Sequence, residues 1–249
     1  MQLSELTHYL DLFLHIDEYE DRSNNGLQVQ GQSEVICVAF AVDACLASFQ
    51  ASIQAGAQLL IVHHGLFWSQ PMQITGVHYQ RLRTLLRADC GLYAVHIPLD
   101  AHPEVGNNTQ LARLAGLQNI TPWGNHHSDV IGYSGELAQP LPLDEFNRRL
   151  EGAIGTGNRV QSSGRPVHRV AVLSGFGVDF ISQAAEAGAD TLLTGETSHT
   201  WHHMVDEHHL NVIYGGHYNT ETVGLKALSK KLSEQFSLNT VFIDLPTGL

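Results

Sequence analysis

Apolar residues along this chain fall into two rhythms: short unbroken runs, and stretches in which they recur every three or four positions. The segment VAFAVDACLASFQASIQAGAQLLIVHHG (residues 38–65) contains both and aligns without gaps on VAVLSGFGVDFISQAAEAGADTLLTGET (residues 170–197). Each begins with an apolar run that predicts a buried strand and continues into an amphipathic helix. Each helix closes on Ala-Gly-Ala (Ala55-Gly56-Ala57 and Ala187-Gly188-Ala189), where glycine suits a left-handed C-cap. A second apolar strand follows and ends abruptly in polar residues. Upstream, LSELTHYL from Leu3 and LDEFNRRL from Leu143 both predict a helix, with Ser4 and Asp144 as N-cap candidates. Downstream, LYAVHIPLD from Leu92 and LNVIYGGH from Leu210 both read as a strand ending in a polar switch.

This order predicts an α/β fold with buried, largely parallel strands. We expect two similar α/β halves, an internal duplication, forming one compact layered body with a dinuclear metal site between them. The halves are residues 1–125 and 126–249. Their junction is expected in TPWGNHHSDVI (121–131), which is rich in Pro, Gly and polar residues. A length of 249 residues suits one large domain or two small ones.

Composition narrows the functional classes. With 43% hydrophobic and 15% charged residues the chain can bury a proper core. A formal charge of -12 and the lack of any basic run argue against nucleic acid and anionic lipid as partners. The first twenty residues carry acidic groups through their apolar stretch, unlike a signal peptide or a membrane span. Cys37, Cys45 and Cys90 show no C-x-x-C spacing and read as packing residues, which fits a cytoplasmic protein. The anomaly is 16 histidines against 13 Lys and Arg together.

Functional groups in α/β sheets collect at the carboxyl ends of strands. One such end is Val62-His63-His64-Gly65, where adjacent side chains on an extended chain are expected to point to opposite sides. A second is Val95-His96-Ile97-Pro98-Leu99-Asp100. Pro98 there is expected to hold Ile97 extended and prevent a helix, leaving His96 and Asp100 in a strand-to-loop passage. A third is Gly215-Gly216-His217-Tyr218-Asn219-Thr220-Glu221, where His217 and Glu221 share a face if a helix begins by His217. In the second repeat Gly195-Glu196-Thr197 stands where the first has His63-His64-Gly65. Glu196 reads as a supporting group. His63, His64, Asp100, His217 and Glu221 thus form a candidate ligand set of nitrogen and oxygen donors without sulfur. It suits Zn, Fe, Mn or Ni better than Mg or Ca. Five protein ligands exceed the usual share of one four-coordinate centre, so two divalent cations per chain are expected.

The motifs VHHG, HIPLDAHP and GGHYNTE, with SNNGLQVQG at residues 23–31, resemble the Ngg1-interacting-factor-3-like family. Bacterial members of that family are named GTP cyclohydrolase 1 type 2 homologues, and the resemblance spans essentially the whole chain in its short form. It implies a dinuclear site at the five positions above. In that arrangement Glu221 bridges, His64 and Asp100 hold one ion, and His63 and His217 hold the other. It also implies a toroidal homohexamer. His96 fits the motif as a catalytic group beside the ligands, not as a ligand.

Paired ions can generate hydroxide at neutral pH and polarise a carbonyl, ring carbon or phosphoryl group. The expected function is therefore a metal-dependent hydrolase acting on a small, nucleotide-like substrate. The alternative is a non-catalytic metal-binding or regulatory toroidal assembly. No glycine-rich phosphate loop is present. The histidines between His199 and His209 either carry protons at the mouth of the site or decorate a solvated helix. Phe67 and Trp68 either offer a stacking face or anchor a loop, and His126 and His127 read as surface residues.

Overall fold

The computed structural model describes residues 1–155 and 157–248. The first elements along the chain are α1 (Leu3–Leu14), β1 (Gly26–Val29), β2 (Cys37–Asp43), α2 (Leu46–Gln54) and β3 (Leu59–His64). Next come α3 (Gly76–Ala88), β4 (Gly91–Ala94), α4 (Ile97–Ala101), α5 (Asn107–Leu114), β5 (Gln118–His126) and β6 (Asp129–Leu141). They are followed by α6 (Leu143–Ile154), β7 (Arg159–Gln161), β8 (Val167–Val172), α7 (Ile181–Glu186) and β9 (Thr191–Thr194). The last are α8 (His202–Glu207), β10 (Asn211–Tyr214), α9 (His217–Phe236) and β11 (Asn239–Phe242).

The chain divides into two compact units. One comprises residues 1–99 and 225–245, the other residues 100–224 with those from Pro246 on. The first unit holds a five-stranded sheet in the order β1-β4-β3-β2-β11. Strands β2, β3, β4 and β11 run parallel, and β1 closes the edge antiparallel to β4. Continuous apolar runs bury both faces of β3 and β4, as expected of parallel strands covered by helices. Leu60, Val62 and Leu92 pack with Phe49 of α2 and with Leu82 and Leu85 of α3.

The second unit holds a six-stranded sheet in the order β5-β6-β8-β9-β10-β7. Strands β8, β9 and β10 are parallel, and the flanking strands pair antiparallel. Its core joins Val170, Val172, Leu193 and Ile213 to Phe146 and Leu150, which lie one turn apart on α6.

Residues 38–65 and 170–197, which align in the sequence, share one topology. Both segments fold as parallel β-α-β units, and Val38 pairs with Leu59 as Val170 pairs with Thr191, the register of the ungapped alignment. In both units the third parallel strand is followed outward by an antiparallel edge strand. Both helices end in the same way. Gly56 and Gly188 lie at φ +75° and +74°. Ala57 N–H bonds Ser52 O and Ala189 N–H bonds Ala184 O, closing two like Schellman caps.

Several expectations are corrected. Residues 121–131 are not a junction but lie within the β5–β6 hairpin, so a boundary at 125/126 cuts the second unit in its middle. Pro122 is tolerated there because β5 is an edge strand. The first unit is discontinuous, since α9 leads into β11, which adds in parallel to the edge of β2. Pro98 does not keep Ile97 extended. It sits in the first turn of α4, where its missing N–H has no helical partner to lose. Ser4 and Asp144 lie one residue inside their helices, with Gln2 and Pro142 at the N-cap positions.

Candidate metal centre

Strand β3 delivers His63 and His64 to its carboxyl end, and the chain after β4 delivers His96. The three offer donor atoms within 4.8 Å of one another. The His63 and His64 rings do not diverge as an extended strand alone would place them; their centroids lie 4.8 Å apart. The reason lies in the flanking strands. His63 Nδ1 donates to Val95 O at 3.0 Å, just beyond β4, while His64 Nδ1 bonds Asp43 Oδ1 at 2.9 Å, at the end of β2. Each imidazole is held from a different side of β3. His96 Nδ1 bonds Asp21 Oδ1 at 3.0 Å, and its ring centroid lies 5.0 Å from that of His63.

These bonds set the tautomers. A carbonyl or ionised carboxylate on Nδ1 requires the proton there and makes Nε2 the nitrogen that carries a lone pair in the neutral ring. Burial alone would raise the pKa of Asp21. The bonds from His96, Ser23 N–H and Asn25 outweigh it, and its carboxyl is held well below the usual carboxylate range.

The early segment SNNGLQVQG builds this corner. Asn25 Oδ1 accepts from His96 N–H at 2.9 Å, and Asn25 Nδ2 donates to Asp21 Oδ2 at 3.0 Å. Gln28 Oε1 accepts from Leu66 N–H at 2.7 Å and Phe67 N–H at 3.2 Å, which clamps the turn leaving His64. Phe67 packs on the core of its unit. Trp68 donates from Nε1 to Gly65 O and sets its ring edge-on to His96, with centroids 5.2 Å apart. Both act as loop anchors.

The second unit places Asp100, His217 and Glu221. Asp100 Oδ1 accepts from Ser174 Oγ at 2.7 Å and Asn107 Nδ2 at 2.9 Å. Helix α9 begins at His217, so His217 and Glu221 share a face, and His217 Nε2 lies 3.0 Å from Glu221 Oε1. Glu196 Oε1 holds His217 Nδ1 at 2.9 Å. Burial pulls the His217 pKa down, but the hydrogen bonds and charges of Glu221 and Glu196 outweigh it and push the group up to about 9. A field that draws a proton this strongly also favours a cation. Gly175, at φ +59°, makes room for the pair: a Cβ there would collide with Glu221 Oε1 and come within 3.3 Å of His217 Nε2.

The structure thus brings His96 into the His63–His64 group and adds three carboxylates that sequence reading either missed or left unplaced. Asp43 had a signal, as the last residue of β2, paired in register with His64. Glu196 had one too, because it aligns with His64 in the repeat. Asp21 lies in an irregular segment and had none. Of the remaining histidines, His202 and His203 are exposed on α8, and His127 turns the β5–β6 hairpin at φ +53°.

Fold and site together define a two-sheet α/β protein with anchored imidazoles and carboxylates at strand ends. The chain belongs to the Duf34/NIF3 (NGG1p interacting factor 3) family, whose model matches residues 1–247. It is 46% identical over 246 residues to a GTP cyclohydrolase 1 type 2 homolog of Deinococcus radiodurans, covering 98% of this chain and 94% of that one. The Pyrococcus horikoshii protein of the same name is 45% identical over 252 residues, with both chains covered fully. The crystal structure of TTHA1606 from Thermus thermophilus matches with a TM-score of 0.92 at 45% identity over 100% of both chains.

Proposed function

We propose that this chain binds two divalent transition-metal ions through His63, His64, Asp100, His217 and Glu221 and hydrolyses a small, nucleotide-like substrate. The observation that carries the reading is a shared mode of anchoring. His63, His64, His96 and His217 each bond a protein oxygen through Nδ1, at 2.9 to 3.0 Å. Metal-ligating histidines are held in this way, which orients the ring and raises the basicity of Nε2. The mixed nitrogen and oxygen donors fit Zn, Fe, Mn or Ni.

When bound, paired ions supply Lewis acidity and an activated water at neutral pH. The chain's own contribution is proton handling and positioning. Ionised Asp21 keeps the His96 proton on Nδ1, leaving Nε2 as a base, and its charge stabilises the imidazolium formed when His96 takes a proton. Glu196 and Asp43 keep His217 and His64 in fixed orientations. The name borne by the Deinococcus and Pyrococcus relatives supports a purine nucleotide as the substrate class.

The matched strand registers support an internal duplication as the origin of the two β-α-β units. The resemblance supports self-association into a ring of six, which sedimentation velocity tests directly. The three free cysteines fit a cytoplasmic location. No helix among the described residues is long and apolar enough to cross a membrane.

The test is metal analysis followed by incubation of the loaded protein with nucleotides, phosphoesters and amides. We expect about two tightly held equivalents per chain at these five ligands and hydrolysis that disappears on chelation. Full turnover in metal-stripped protein would remove the reading.

A further inference from the structure

Helix α8 carries a separate set of metal-type donors. His202, His203 and Asp206 each offer one donor atom within 4.8 Å of the others, and all three are exposed. His202 and Asp206 are four apart and share a helical face. Their facing atoms, Nε2 and Oδ2, stand 3.7 Å apart. That exceeds a hydrogen bond and is close to the roughly 3.4 Å that separates two ligands on a tetrahedral ion with bonds of about 2.1 Å.

The carboxylate is fixed from behind. Gln161 Nε2 on β7 donates to Asp206 Oδ1 at 2.6 Å and to His202 O at 2.9 Å, tying both residues to the sheet edge. The His203 ring meets that of His202 edge-on, with centroids 5.2 Å apart, and brings in a second imidazole. His202 also lines a cavity of about 450 Å³ with Arg159, Gln161, Thr197, Ser198 and His199. The cluster therefore borders open volume through which an ion and its waters can enter.

We propose that His202, His203 and Asp206 form a surface site for a divalent ion of the Zn, Ni or Cu(II) class, independent of the five ligands proposed above. Two imidazoles and one carboxylate select these ions over Mg and Ca. Three protein ligands leave a coordination position to water.

The test is equilibrium dialysis of the purified protein against Zn²⁺, comparing wild type, the double variant His202→Gln/Asp206→Asn, and Glu221→Gln. Wild type and Glu221→Gln should each lose one equivalent when the double change is added, with thermal melts unchanged. Cu²⁺ provides a local readout in a Trp68→Phe/Trp123→Phe background, where Trp201, which adjoins His202, is the remaining tryptophan and an ion at His202 quenches its fluorescence. That quenching should be absent in the double variant and persist in Glu221→Gln. His203→Asn, exposed and outside the Gln161 bonds, should weaken binding by at least about tenfold, since loss of a supporting group alone costs 10–100-fold. Equal Zn²⁺ stoichiometry and equal quenching in wild type and double variant would overturn the proposal.

Discussion

Asp21 accepts a hydrogen bond from His96 Nδ1 at 3.0 Å while its other oxygen takes the backbone N–H of Ile97, also at 3.0 Å. Ser23 N–H and Asn25 Nδ2 complete four bonds to one carboxylate that is 3% exposed. Asp21→Asn puts an amide NH₂ opposite two donors in either flip. Each buried mismatch costs about 1–3 kcal/mol, so we expect a clear fall in the urea midpoint. The acid limb should change as well. A carboxyl held below its usual range in the folded state adds stability that is complete above the unfolded value near 4 and is lost as the pH falls further. Urea titrations from pH 7 to pH 2 should show this loss in wild type and a flatter limb in Asp21→Asn.

His217 has the opposite sign. Its folded pKa of about 9 lies above the ordinary value, so in metal-free protein its contribution is complete below about 6.5 and lost as the pH rises through about 9. A cation that takes the place of this proton must release it. Calorimetric titrations with Zn²⁺ at pH 7.5 in buffers of differing ionisation enthalpy should show proton release. Glu196→Gln should diminish the release. A buffer-independent heat in wild type would contradict the assignment of His217 as a ligand.

Much of this was legible in the sequence, for physical reasons. Parallel strands buried on both faces are written as unbroken apolar runs, and a Schellman cap calls for glycine, so both β-α-β units and their register could be read directly. The discontinuous first unit could not, because the pairing of β11 with β2 is a contact between distant residues with no local signal. Pro98 and Pro122 misled for a common reason: proline breaks interiors, but one lies in a first helical turn and the other on an edge strand. The ligand candidates stood out as histidines and carboxylates at or just past strand ends. Asp21, which anchors His96, is an ordinary acid in an irregular segment until the fold brings that imidazole to it.

The anchors of His64 and His217, Asp43 and Glu196, give a graded prediction. Asp43→Ala and Glu196→Ala remove the partners that hold His64 and His217, leaving the rings in place but free to turn. Metal affinity should fall about 10–100-fold in each, while melting of the metal-stripped protein moves little for the half-exposed Asp43. Asp43→Asn should recover part of the loss, because its amide oxygen still accepts from Nδ1. Unchanged affinity in both alanine variants would show that the anchoring is incidental.

Glycine at 175 separates backbone strain from damage to the site. Gly56 and Gly175 both have positive φ, +75° and +59°, so alanine at either is strained by roughly 1–2 kcal/mol. Around Gly56 a new Cβ meets nothing within 4 Å, and Gly56→Ala should cost that strain alone, with metal content unaltered. At Gly175 the new methyl collides with Glu221 Oε1 and crowds His217 Nε2. Glu221 is 3% exposed on the first turns of α9 and has little room to yield. Gly175→Ala should therefore lose bound metal, and any hydrolysis with it, well beyond its loss of stability. Metal analysis and thermal denaturation of the two variants side by side make the comparison. Equal metal content in both would mean that Glu221 does not hold an ion in the position the glycine keeps clear.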